Sequence, residues 1–156
     1  MAKKSLTNNL KKITSLGERS EFSAMKTVNI IFFGFTLFFA LLYFTATATS
    51  DIGGGQVNID SNLYFNIGVI SGSSLLLLVM EFYPTITELM KFVRVTLIAV
   101  ILVFVFLSTQ DIYDIAAASD NAGDEAMIYA LSSLTVGFAS VAGLLNALEV
   151  VRNFGY

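Results

Sequence analysis

Residues Val28–Thr47 read VNIIFFGFTLFFALLYFTAT, twenty residues with no charge and six phenylalanines. A helix rises about 1.5 Å per residue, so roughly 20 apolar residues cross the ~30 Å hydrocarbon core of a bilayer. This stretch is therefore expected to span a membrane. Working outward, three more stretches meet the same criterion, near Leu63–Phe82, Leu89–Thr109 and Ala126–Leu148. The third has its apolar core at Val95–Leu107 and needs Lys91 and Arg94 to snorkel to the interface. The expected fold is an all-α membrane protein, a bundle of four transmembrane helices.

Composition agrees. Of the 156 residues, 55% are hydrophobic and 13% charged, and the mean hydropathy is +0.73. Soluble domains carry about a quarter of their residues as charges. Ala46-Thr47-Ala48 resembles a signal-peptidase site, but a cleaved signal has an apolar stretch of about 7–15 residues near its start. Here the apolar run is longer and 27 mostly polar residues precede it. The first span is read as retained.

The placement of charge predicts an orientation. All nine basic residues fall in three segments: Lys3, Lys4, Lys11, Lys12, Arg19 and Lys26 before the first span, Lys91 and Arg94 at the second connection, and Arg152 in the tail. The other two connections, near 48–62 and 110–125, carry Asp51, Asp60, Asp111, Asp114, Asp120, Asp124 and Glu125 and no Lys or Arg. By the positive-inside rule both termini are expected on the cytoplasmic side. That places the chain as a multi-pass protein of a plasma (inner) membrane or an equivalent energy-transducing membrane.

The head, residues 1–27, puts Leu6, Leu10 and Ile13 on one helical face with Lys11 and Lys12 away from it, and Gly17 is expected to end this short amphipathic helix. Two readings stay open for it: an anchor on anionic lipid or docking helix, and a solvated leader whose lysines set topology. Residues 149–156 form a cytoplasmic tail. Gly53-Gly54-Gly55 followed by Asp60-Ser61-Asn62 reads as a helix stop and a capping cluster, with no Lys or helix placed to make a phosphate loop. Tyr83-Pro84 closes the second helix, and Thr85 to Glu88 matches a capping box for the third. The acidic run Asp120–Glu125 lacks the alternating ligands of a calcium loop, and Asp124 and Glu125 suit the positive N-terminal end of the fourth helix.

Lipid tails are as apolar as leucine, so helix interfaces in a bilayer are marked by small and weakly polar residues. In the second span Gly68 and Gly72 form a Gly-x-x-x-Gly pair, with Asn66 and Ser73 on a neighbouring face. In the fourth, Ser132, Thr135, Ala139, Gly143 and Asn146 follow one stripe. These two spans are expected to supply the closest contacts or to line a pore. The third span, and the Phe32, Phe33, Phe35, Phe38 and Phe39 side of the first, are expected to face lipid, while Asn29, Thr36, Ala40 and Tyr43 share a side able to turn inward.

The missing chemistry narrows function further. There is no His or Cys, which removes thiolate zinc sites, His-activated nucleophiles and His- or Cys-ligated haem. No ionisable residue lies near the middle of a span, which disfavours proton-coupled transport. Glu81 and Glu149 sit at cytoplasmic span ends near Lys91, Arg94 and Arg152, where interfacial ion pairing or a gate are the two readings. No catalytic residue, cofactor or metal ligand is assigned, and no nucleic-acid partner is expected. The expected function is a non-catalytic structural or accessory subunit of a larger membrane complex, its partners being the bilayer and other subunits or copies of itself. The alternative is a homo-oligomeric channel, a holin-like pore or a small-solute facilitator.

Overall fold

The computed structural model describes the backbone of residues 2–52, 61–82, 88–118 and 124–154, and the side chains of 24–49, 61–82, 89–114 and 126–152. Four helices follow in order: α1 (Ala2–Ile52), α2 (Ser61–Phe82), α3 (Glu88–Ala118) and α4 (Asp124–Phe154). Each contains a segment long and apolar enough to cross a membrane: Ala24–Thr49, Ser61–Phe82, Leu89–Asp114 and Ala126–Arg152. The connections at 53–60, 83–87 and 119–123, and with them the glycine triplet, Thr85 of the capping box and the Asp120 run, lie outside the described residues.

Two boundaries differ from expectation. Gly17 does not end a separate head helix, because α1 continues through it for 51 residues, about 76 Å at the helical rise. One glycine costs a helix about 1 kcal/mol, whereas starting a new helix repeats the unfavourable nucleation step. The side chains of the Leu6, Leu10 and Ile13 stripe lie outside the described ones. Asp111 and Asp114, placed in a loop by hydropathy, belong to α3. Once a helix has paid for its nucleus it extends past the apolar region as long as no Gly or Pro stops it, and Thr109–Ala118 contains neither.

The helices run up and down around a ring, α1 against α2 and α4, and α3 against α2 and α4. The diagonal pair α2 and α4 meets only slightly. This corrects the expectation that the second and fourth spans supply the closest contacts: the α1/α4 seam is the most extensive.

The inward positions repeat with alternating steps of four and three. On α1 they are Asn29, Phe33, Thr36, Ala40, Tyr43 and Thr47; on α4, Ile128, Ser132, Thr135, Ala139, Ala142 and Asn146. On α2, Leu63, Ile67, Ile70, Ser74 and Leu77 are buried, and on α3, Ile98, Ile101, Val105 and Ser108. A 3.5-residue repeat is the pattern that left-handed bundles use to keep one seam facing the neighbours. Ile67, Ile70 and Ile101 are completely buried and fill the interior. Phe33 is buried with them, 1% exposed, so that member of the phenylalanine run does not face lipid; it falls on the Asn29–Thr36–Ala40 repeat. Phe35 and Phe39 stay on the outer α1/α4 seam, stacking on Phe138 with ring centroids 5.2 and 5.4 Å away.

Candidate functional site

Near one end of the bundle every helix contributes a polar side chain to one hydrogen-bonded layer. The 4/3 repeat of α1 brings Asn29 inward, and the last turn of α2 brings Glu81. The repeat Ile98–Ile101 extended back by one step gives Arg94, and α4 supplies Asn146. Arg94 Nη2 donates to Glu81 Oε1 at 2.9 Å and to Asn146 Oδ1 at 3.0 Å. Asn29 Nδ2 donates to the same Glu81 oxygen at 2.8 Å and to Asn146 Oδ1 at 3.2 Å. Asn146 Nδ2 completes the layer by donating to Asn29 Oδ1 at 2.8 Å and to the Ala142 carbonyl at 2.8 Å.

The electrostatics are those of a desolvated ion pair. The Glu81 side chain is 7% exposed and that of Arg94 24%, and a charge removed from water needs both a counter-charge and hydrogen bonds. Glu81 has Arg94 and Asn29; Arg94 has Glu81 and Asn146. A second carboxylate, Glu149 Oε2, lies 3.8 Å from Arg94 Nη2, within Coulombic reach but too far for a hydrogen bond. Lys26, Lys91 and Arg152 lie at this same end, with the Lys26 ammonium 5.9 Å from the centre of the Phe82 ring.

Of the sequence candidates, Glu81, Arg94, Glu149 and Asn146 thus come together, and Asn29, on the side of the first span able to turn inward, is the fourth corner. Lys91 and Arg152 are exposed at the periphery. Asn66 belongs to the opposite end, donating to Asp111 Oδ2 at 2.9 Å and tying α2 to α3 there. Ser73, Ser132, Thr135 and Ala139 are buried. The hydroxyls of Ser132 and Thr135 donate to their own helix, to Tyr129 O at 2.9 Å and Leu131 O at 2.8 Å. Ser133 points outward and Ser140 is half-buried, so the serines of α4 do not share one lining.

The glycines divide in the same way. At Gly143 an added Cβ would stand 2.9 Å from Leu102 Cδ2, so this glycine makes the close α3/α4 approach. At Gly68 and Gly72 an added Cβ meets nothing within 4 Å. The Gly-x-x-x-Gly pair therefore does not serve a close crossing inside this chain, because the inward repeat of α2 runs through Ile67, Ile70 and Ser74. Gly68 instead floors a lipid-side groove of about 450 Å³ with Phe44, Tyr64, Phe65 and Val69. Gly68→Leu and Gly72→Leu are each expected to leave bundle stability within about 0.5 kcal/mol of the parent, as ordinary surface substitutions do. Reversible unfolding in mixed micelles checks this, a loss beyond ~1.5 kcal/mol being the contrary result.

Among the described residues no three of Asp, Glu, His and Cys come together to hold a metal ion. No family, curated protein or solved structure matches the chain in comparisons with known proteins.

Proposed function

We propose that the protein is a non-catalytic structural or accessory subunit of a larger integral membrane assembly. Positive-inside charge placement orients it with both termini in the cytoplasm of a plasma (inner) or equivalent energy-transducing membrane, the Arg94 end inward. The observation that supports this reading is the outward placement of Gly68 and Gly72. A lipid chain gains nothing from glycine over leucine, whereas a neighbouring helix gains close backbone approach. Most of the described polar groups of the interior bond within the chain: the layer residues bond one another, and Thr36, Ser132 and Thr135 bond their own helices, while the buried hydroxyls of Ser74 and Ser108 have no partner.

A pore requires water along a polar lining, and completely buried isoleucines occupy the interior here. Pure protein reconstituted into liposomes is therefore expected to pass no ions above the empty-liposome background. Steady flux that Asn146→Leu alters would replace the subunit reading with the pore.

A further inference from the structure

Asn29 and Asn146 stand level in the polar layer. From there α3 reaches its first residue, Glu88, and α4 its last, Phe154, within about two turns. The start of α1, Ala2 to about Ser20, continues past both as helix. What this extension meets is decided by which line of the helix it prolongs. On the span, Ala24, Thr27, Ile31 and Phe38 are exposed, on the side away from the Asn29–Phe33–Thr36 repeat. Stepping back from Ile31 by alternating four and three gives Thr27 and Ala24, then Ser20, Gly17, Ile13, Leu10 and Leu6. The apolar stripe of the head is therefore a continuation of the lipid-facing line of the span. The same steps back from Asn29 give Lys26, Phe22, Arg19, Ser15, Lys12 and Asn8, a line that is polar or basic once past Phe22.

We propose that the start of α1 is a lipid-recognition helix, which lies along the membrane surface on its Leu6–Leu10–Ile13 line and binds anionic phospholipid headgroups through its basic residues. A helix that leaves a bundle and leans away from it lays its outer line on the bilayer; leaning the other way, it lays down its bundle-facing line. Here only the outer line is apolar, as an interfacial helix requires. Gly17, with Ser20 one turn on, gives α1 a place to bend at low cost. Residues 1–27 carry six basic residues against two acidic ones, Glu18 and Glu21, and that surplus complements an anionic headgroup layer. A basic cluster directly beside a span on the cytoplasmic side meets the leaflet that carries anionic lipid, and the span tethers it within reach. Lys26, its ammonium 5.9 Å from the centre of the Phe82 ring, marks the interface on α1, where basic and aromatic side chains gather. This inference does not depend on which other subunits the chain binds.

The chain has no cysteine, so a single introduced cysteine can be spin-labelled cleanly. Leu10→Cys reads the outer line and Asn8→Cys the bundle-facing line at nearly the same distance from the bundle. The labelled full chain is placed in nanodiscs of phosphatidylcholine, with or without phosphatidylglycerol in both leaflets, so the result does not depend on orientation. Collision with oxygen, which partitions into lipid, is compared with collision with a nickel chelate, which stays in water. In anionic discs the Leu10 label is expected to favour oxygen and the Asn8 label the chelate. That contrast is expected to shrink in phosphatidylcholine alone and at about 1 M salt, where the Debye length falls to about 3 Å. Lys3→Gln, Lys4→Gln, Lys11→Gln and Lys12→Gln together, with Arg19 and Lys26 kept beside the span, should lose the contrast in anionic discs. Equal access of both reagents at the two positions would mean a solvated leader and would overturn the proposal. So would a contrast that is the same in both lipids, or a Leu10 label shielded from both reagents, the sign of a second copy covering the stripe.

Discussion

Replacing Arg94 with leucine is expected to lower the unfolding free energy by about 3 kcal/mol, the largest loss from any single substitution outside the apolar core. The substitution leaves the Glu81 carboxylate, 7% exposed, with Asn29 as its sole described donor, and it removes the Nη2 bond that ties Asn146 to α3. Removing one partner of a buried pair typically costs about 3–5 kcal/mol. The low end applies because the guanidinium keeps 24% of its surface exposed. Replacing both partners, Glu81→Leu with Arg94→Leu, is expected to recover most of that loss, since no uncompensated charge remains and leucine suits the lipid environment. Both effects are read by steric trapping or SDS titration in bicelles. If Arg94→Leu changes stability by less than about 0.5 kcal/mol, the pair behaves as an exposed surface ion pair, and the polar layer does not hold the four helices together.

Gly143→Leu is the second large effect, an expected loss of about 2–3 kcal/mol from overpacking. Even a methyl here approaches Leu102 Cδ2 at 2.9 Å, Leu102 Cγ at 3.4 Å and Ile101 Cγ2 at 3.5 Å. The first of these is the free end of a flexible side chain, so Gly143→Ala is tolerated: Leu102 gives way, and helix propensity returns up to about 1 kcal/mol. Leucine adds three further carbons where Ile101 is completely buried, and neither α3 nor α4 can yield without opening the seam. The same unfolding assay ranks the variants, with Gly143→Ala close to the parent and Gly143→Leu well below both. Equal stability of Gly143→Leu and the parent would mean that α3 and α4 are further apart than this packing has them.

Hydropathy carried the architecture because it is a local property: each of the four spans is visible in its own window of sequence. Which face of each helix turns inward is harder to read. On α4 the signal is clear, since Ser132, Thr135, Ala139 and Asn146 recur with a 3.5-residue repeat and polar groups in lipid seek partners. On α2 the same rule points the wrong way. Gly68 and Gly72 read as an interface, which says nothing about whether the neighbouring helix belongs to this chain, and here the inward repeat runs through Ile67 and Ile70 instead. Phe33 misled for a related reason, being counted with a phenylalanine run when its position, four residues after Asn29 and three before Thr36, decides its burial.

The polar layer was half legible. Glu81, Arg94, Glu149 and Asn146 stand out as charges or amides near span ends. That Asn29 joins them depends on the relative heights of four helices, and those follow from pairing rather than from any one segment. Extending the 4/3 repeat back from Thr36 and Phe33 reaches Asn29, and extending it back from Ile101 and Ile98 reaches Arg94. That shared repeat is the signal by which sequence reasoning could have assembled the layer. Asp111 was hidden by a different effect, because α3 continues as a helix beyond the apolar window in which hydropathy ends it.

The measurement that bears most directly on the subunit reading is native mass spectrometry of the protein extracted from its own membrane into lipid nanodiscs, without overexpression. The account predicts a particle in which this chain occurs with other polypeptides in fixed ratio, and loss of those polypeptides in the Gly68→Leu, Gly72→Leu double variant while the chain itself stays folded. Particles holding this chain alone, or only copies of it, would contradict it.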